Sequence, residues 1–225
     1  MSEGAAAGWY VFFAGVAVGG VLLASTAYAH VSPAWLKWLL LASAALAVSR
    51  YVSMTVFAVS FDPSPPWLWS RCYYATTIAL TFPGFVAMDQ LVRHPAITPK
   101  KVVMCYAPFF IMNAAVLLCG TTQIVPHPLV GGRPRFTGAW PALLGFSQAA
   151  FLLCLFGAGV MLMRKLPASR IKFALGILLG AYAVLGICGV FAHRSATPLQ
   201  PYLWAELLTF AAIWFALDTA RHSTV

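Results

Sequence analysis

Charged residues are scarce in this chain, and their scarcity excludes most kinds of soluble protein. Only 8% of the 225 residues are charged, whereas 61% are hydrophobic. A soluble domain keeps about a quarter of its residues charged. Acidic residues are the scarcest, with five Asp and Glu against fourteen Lys and Arg. The composition therefore predicts a protein whose solvent is the lipid bilayer.

The residue patterns that many enzymes and cofactor sites require are also missing. The chain has no CxxC pair, no HExxH motif and no Walker A loop, and its last apolar stretch has no lysine for a retinal Schiff base. The histidines fall at helix ends or in loops, whereas bis-histidine haem needs them inside helices. No patch of aromatic and basic residues indicates nucleic-acid binding. We therefore expect neither an enzyme nor a nucleic-acid-binding protein, while the presence of a pigment or haem stays open.

Long apolar stretches make up most of what is present. There are seven, and each has about the 20 residues needed to cross a bilayer. They are longer and more evenly apolar than the alternating strands of a membrane barrel, so we predict helices. The predicted fold is all-α, a polytopic membrane protein that forms one domain over residues 1–225. The predicted spans are residues 9–30, 35–60, 67–91, 102–124, 139–163, 171–193 and 199–218.

Lysine and arginine divide unequally between the two predicted faces, and this predicts the orientation. The face with more of them is expected to be cytoplasmic. The N-terminus is then outside and the C-terminus cytoplasmic, in the multi-pass topology of a bacterial cytoplasmic (inner) membrane protein. One face has nine: Lys37, Arg93, Lys100, Lys101, Arg164, Lys165, Arg170, Lys172 and Arg221. The other has four: Arg71, Arg133, Arg135 and Arg194.

Glycine and proline give expectations about helix packing. Gly15 and Gly19 form a small-xxx-small pair, which favours close packing against another helix of the same chain, with a dimer face as the alternative. Pro83 in the third span and Pro108 in the fourth each remove a backbone hydrogen bond, so both spans are expected to bend.

Two ionisable residues lie well inside predicted spans, and such residues are costly in a membrane. Arg50 lies roughly 15 Å from the outer end of the second span, and Glu206 lies roughly 10 Å from the same face. Opposite charges at similar depth can form a structural ion pair between the second and last spans. They can instead line a polar pocket that opens to the outside. In a third interpretation Arg50 extends to the interface without a partner.

Further polar residues gather at the predicted outer face. Arg71 begins the third span there and His193 ends the sixth, with Asp62 and His127 in the nearby loops. Ordinary anchoring at the membrane interface explains these positions as well as a ligand site does. The predicted ligand-binding residues are Arg50, Arg71, Glu206 and His193.

The layout resembles the N-terminal seven-helix sensing module of bacterial histidine kinases. The third span, WLWSRCYYATTIALTFPGFVAMDQLVRHP, has an arginine near its outer start and a proline in its middle. The basic segment TPKK follows, then a second proline-containing span, VVMCYAPFFIMNAAVLL, and later a fifth span that ends in MLMRKLPASRIK. The resemblance implies an outward-facing sensor, with Arg71 as the position that the modules share.

One departure from that family affects the expected function. The kinases carry a cytoplasmic output domain after the last helix, whereas this sequence ends at Val225. We therefore expect a non-enzymatic sensor that binds a small or lipidic ligand near its outer face and signals through a separate membrane or cytoplasmic protein. The alternative is a structural or accessory subunit of a larger energy-transducing or pigment-bearing membrane complex. A small transporter is a further alternative.

Overall fold

A computed structural model describes residues 3–59, 67–93, 97–126, 132–166, 170–192 and 201–223. The described part is helical apart from one small β-hairpin. Three short helices, α3 to α5, follow one another in a single span, which we call the third span. The helices are α1 Glu3–Tyr28, α2 Ala34–Val59, α3 Trp67–Cys72, α4 Thr76–Ala79, α5 Thr81–Val92, α6 Pro99–Cys119, α7 Trp140–Lys165, α8 Arg170–Ala192 and α9 Pro201–His222. The strands are β1 Thr122–Pro126 and β2 Gly132–Phe136.

Seven helical segments are long and apolar enough to cross a membrane: α1, α2, the third span and α6 to α9. This confirms the prediction of seven apolar helices. Which end of the bundle faces outward stays a prediction from the lysine and arginine distribution.

The third span lies at the centre of the bundle. It contacts α2, α6, α7, α8 and α9. Within its most apolar stretch 78% of the residues are buried, against 22% for α6 and for α7. The outer helices also pack on one another, α1 on α2 and α9, and α8 on α7 and α9. A movement of the third span would therefore alter its contacts with most of the other helices.

The third span is broken, whereas the sequence predicted one continuous bent helix. Pro83 has no N–H, so the carbonyl of Ala79 lacks its usual donor four residues later. The helix is interrupted at Leu80, between α4 and α5. The Leu80 carbonyl accepts hydrogen bonds from the hydroxyl of Tyr182 on α8 and from the Gly84 N–H. The neighbouring helix therefore supplies a donor where the chain turns irregular.

The predicted fourth span, residues 102–124, is wrong at its C-terminal end. Helix α6 ends at Cys119, and the segment expected to be a loop forms an antiparallel hairpin in which Gln123 pairs with Arg135. The turn between helix and strand is tight. A Cβ atom at Gly120 would lie 2.7 Å from the ring of Phe136, so the turn needs a glycine there.

The prediction that Gly15 and Gly19 pack within the chain is also wrong. A Cβ atom at either position would meet nothing within 4 Å. Both residues lie on the exposed face of α1. The α1 face that packs inward carries Ala14, Ala17 and Val21 instead.

The bundle has two unlike halves. The hairpin half contains β1, β2 and the helix ends next to them, and it is held together by polar contacts between elements, such as Ser53 to the Trp69 carbonyl at 2.7 Å. The far half is the opposite end. Its core is mainly aliphatic, with Leu36, Leu40, Val86, Leu175 and Leu178 all fully buried, and it also buries Tyr28, Ser43 and Thr219.

Candidate ligand cavity

A cavity of about 550 Å³ lies in the hairpin half. Small-molecule sites usually measure about 300–1,000 Å³, so the volume suits a small ligand. The third span, α7 and α8 form its walls, and β2 lies at one side. Its described polar lining comprises Arg50, Tyr73, Tyr74, Thr76, Thr77, Thr81, Arg133, Arg135, Gln148, Tyr182 and Tyr202.

Arg50 is the buried cation of this cavity, and Glu206 is its partner. Their side chains are 4% and 0% exposed, and the distance from Arg50 Nε to Glu206 Oε1 is 3.9 Å. The Tyr51 hydroxyl donates a hydrogen bond to Glu206 Oε2 at 3.0 Å. The Arg50 guanidinium also lies 4.1 Å from the centre of the Tyr73 ring. The ion pair neutralises two charges that would otherwise be buried alone.

The two charges neutralise each other, but some of their donor and acceptor atoms have no hydrogen-bond partner. Thr76 is a hydrogen-bonding neighbour of both Glu206 and Tyr202. Even so, Nε and Nη1 of Arg50 and Oε1 of Glu206 have no hydrogen-bond partner. A buried donor without an acceptor is costly, and it needs an explanation when it borders a cavity. Arg50 therefore lines a space large enough for a small molecule, while two of its buried nitrogen atoms have no hydrogen-bond acceptor.

Two more arginines reach the cavity from the hairpin. Arg133 and Arg135 are two residues apart on β2, so they lie on the same face of the strand. Between them, the Pro134 carbonyl accepts a hydrogen bond of 2.7 Å from the Tyr74 hydroxyl. The Tyr74 ring also packs 4.5 Å from Phe136. These contacts hold the strand against the third span, and they hold both arginines beside the cavity.

Hydroxyl groups gather where the third span breaks. The Thr81 hydroxyl lies 2.7 Å from the Tyr106 hydroxyl and donates to the Thr77 carbonyl at 2.7 Å. The ring of Tyr182 packs 5.6 Å from that of Phe151. Thr77, Thr81, Phe151 and Tyr182 also line the cavity, so the break in the helix forms part of its wall.

The structure brings some of the predicted site residues together and separates others. Arg50 lines the cavity, and Glu206 pairs with it from behind without lining it. Arg50 therefore does not lie without a partner. Arg71 is not among the described lining residues, and its guanidinium lies 5.1 Å from the Trp67 ring and 5.8 Å from the Phe136 ring. His193 lies outside the described residues, as do Asp62 and His127. Ligand binding by these residues stays a prediction.

The hairpin arginines are the site residues that the sequence did not indicate. Arg133 and Arg135 entered the sequence argument only as charges that orient the chain. The segment GRPRF did carry a signal, since arginines two residues apart share one face if the segment is a strand. A proline between them disfavours that interpretation, because proline is confined to edge strands. In a two-stranded sheet both strands are edges.

Across the described residues, no three His, Cys, Asp or Glu side chains lie close enough together to hold a metal ion. Comparisons with known protein families, with curated proteins and with solved structures find no match to this chain.

Proposed function

We propose that this protein is a membrane receptor that binds a small ligand in the cavity of the hairpin half and signals through a partner protein. One observation carries the proposal. A cavity of about 550 Å³ borders Arg50, a buried arginine with unused hydrogen-bond donors, inside a bundle of apolar helices. Ionisable groups at such depth are a functional-site hypothesis by default.

The packing of the far half favours binding over transport. A transporter needs a hydrated path to both faces, and its polar residues continue through the bilayer. Beyond the cavity, the core instead contains Val86, Leu175, Leu178 and Ile213, all 0% exposed. These side chains fill the core of the described bundle between the cavity and the end of the far half.

The third span offers a route from the cavity to the opposite face. Thr76, Thr77 and Leu80 line the cavity, and α5 continues from there to Val92 in the far half. The span is interrupted at residues 73–75 and again at Leu80, so α4 and α5 need not move as one rigid helix. A ligand that displaces α4 can therefore shift α5 against α8 and α9.

Blocking the cavity tests the binding step. Ala149 lines the cavity from α7, whereas Leu153 on the same helix is 75% exposed and does not line it. We expect Ala149→Trp to abolish binding of a small amphiphile and Leu153→Trp to preserve it. The probes are n-octanoate, 1-octanol and n-octylamine. Calorimetry on protein in lipid nanodiscs, with empty nanodiscs subtracted, measures binding. Equal binding by both variants contradicts the proposal.

Spin labels test the signalling step. Arg93 and Arg170 are exposed positions of the far half, at the end of α5 and the start of α8. With the five native cysteines replaced by alanine, Arg93→Cys and Arg170→Cys accept one label each. We expect the distance distribution between the labels to change when a binding probe is added. An unchanged distribution at saturation contradicts signalling through α5.

A further inference from the structure

We infer that the ligand of this cavity carries an anionic group, a carboxylate, phosphate or sulfonate, joined to an apolar body. The inference rests on the proposed function, since it names the class of ligand that the receptor binds. Three arginines are the charged residues of the described lining, Arg50, Arg133 and Arg135, and no acidic residue is among them.

The arginines lie at two places on the cavity wall. Arg50 is buried within the bundle, whereas Arg133 is partly exposed and Arg135 is exposed on the hairpin. An anion entering from the hairpin side meets Arg133 and Arg135 first. It then meets Arg50, whose position is held by Glu206. Arginine suits this recognition because its planar group binds a carboxylate or phosphate with two parallel hydrogen bonds.

Glu206 does not fill the place of such an anion. Its Oε1 lies 3.9 Å from Arg50 Nε, which is beyond hydrogen-bonding distance, and Nη1 of Arg50 has no acceptor. Because Arg50 lines the cavity, an anionic group there can lie against this side chain without displacing the carboxylate. The hydroxyls of Tyr73 and Tyr202, which also line the cavity, offer further donors.

Apolar side chains form another part of the lining, and they indicate the chemistry of the rest of the ligand. Leu80, Phe136, Phe151, Leu152 and Leu185 line the same cavity as the arginines. A bare inorganic anion would leave this surface without contacts, whereas a short alkyl or aromatic body would bury it. The combination points to an amphiphile with one anionic end.

The test compares ligands that differ only in the charged group. Wild-type protein in nanodiscs of a zwitterionic lipid is titrated with n-octanoate, 1-octanol and n-octylamine, and also with n-octyl phosphate and inorganic phosphate. We expect octanoate and octyl phosphate to bind at least about tenfold more tightly than octanol, since the alcohol offers the arginines a neutral acceptor in place of a charged one. Octylamine should bind most weakly. Tighter binding of octyl phosphate than of inorganic phosphate identifies an amphiphile as the ligand rather than the free anion.

Two variants assign the effect to the arginines. The pair Arg133→Gln and Arg135→Gln alters a surface strand, and we expect it to weaken octanoate binding and reduce its salt dependence. Removing Arg50 alone would leave Glu206 unpaired, so Arg50→Met is combined with Glu206→Gln. This second variant should lose much of the preference for octanoate over octanol, and the preference that remains is due to Arg133 and Arg135.

Each of three results would overturn the inference. Octanol or octylamine could bind as tightly as octanoate in the wild type, octanoate binding could be unchanged in either arginine variant, or inorganic phosphate could bind as tightly as octyl phosphate. Any one of them removes the anionic amphiphile while leaving the cavity as a binding site. If no probe binds, the proposed receptor function fails together with this inference.

Discussion

The two halves of the bundle bury different kinds of side chain. In the hairpin half, Arg50, Thr76, Thr77 and Glu206 are buried around a cavity. In the far half the same helices bury a mainly aliphatic core, and no Asp, Glu, Lys or Arg is buried there among the described residues. The far half demonstrates that these helices can pack without buried charges. The ions of the hairpin half are therefore not needed simply to form a bundle of this kind.

The contrast matters because the two kinds of burial have opposite costs in a membrane. Aliphatic side chains lose nothing when they leave lipid for a protein core, and they gain van der Waals contacts. A buried arginine and glutamate cost free energy unless they are paired. Retaining the pair beside a cavity is the arrangement expected of a binding site.

The largest expected effect comes from breaking the Arg50–Glu206 pair. Glu206→Gln keeps the shape of the side chain and an acceptor for the Tyr51 hydroxyl, but it leaves Arg50 buried without a counter-charge. We expect a loss of about 3–5 kcal/mol in the free energy of unfolding. Unfolding by SDS in mixed micelles measures it.

The double variant Arg50→Met with Glu206→Gln is the control for this prediction. It removes both charges, so its stability should lie close to that of the wild type, with the cycle of single and double variants isolating the pair. If the double variant is as unstable as the sum of both single variants, the two charges do not interact, and the ion pair is not what stabilises this region.

Much of this fold can be predicted from the sequence, because hydrocarbon imposes a simple rule. A segment of about 20 apolar residues must be a helix that satisfies its own backbone groups. The seven spans follow from that rule. The ends of the spans do not, because an uncharged segment that follows a helix carries no clear signal that the span has stopped. Residues 120–124, GTTQI, carry no charge and lie within the predicted fourth span, yet Thr122 to Ile124 belong to β1.

The site could be predicted only in part. Arg50 and Glu206 are conspicuous because ions inside apolar spans are rare, and their similar depth makes pairing one of three interpretations. The hairpin arginines depend on a strand register that local sequence does not reveal. The cavity walls on α7 and α8 exist because these two apolar helices lie apart at this point. The sequence does not predict that separation, because lining residues such as Ala149 are ordinary residues of a membrane helix.

The second prediction concerns the far half. Leu178 is fully buried there, so Leu178→Ala should lower the free energy of unfolding by about 3 kcal/mol through the cavity it leaves. Octanoate affinity should stay unchanged, because the ligand cavity lies in the other half. The matched control is Leu153→Ala, at a position 75% exposed, where we expect almost no loss. Loss of octanoate binding by folded Leu178→Ala protein would contradict the separation of the two halves.

The third prediction concerns the boundary between the halves, where the third span breaks. Tyr182→Phe removes the hydroxyl that donates to the Leu80 carbonyl, while the Gly84 N–H remains as a second donor. We expect a loss of about 1 kcal/mol, the usual net contribution of one hydrogen bond. Tyr10→Phe, at a buried tyrosine of α1 whose hydroxyl has no hydrogen-bond partner, serves as a comparison for removing a tyrosine hydroxyl. Equal losses in both variants would show that the break has no special need for this donor.

The smallest expected effect is confined to the hairpin. The Tyr74 hydroxyl donates to the Pro134 carbonyl at 2.7 Å, so Tyr74→Phe frees β2 from the third span while keeping the ring contact with Phe136. Because the strand lies at the edge of the bundle, we expect global stability to fall by less than about 1 kcal/mol. Amide hydrogen exchange in Thr122–Pro126 and Gly132–Phe136 should become faster, while exchange in α8 stays the same. Since Arg133 and Arg135 flank the freed carbonyl, octanoate binding should weaken modestly. If exchange becomes equally faster in α8, the hairpin is not an independent part of the hairpin half but a structural support for the whole bundle.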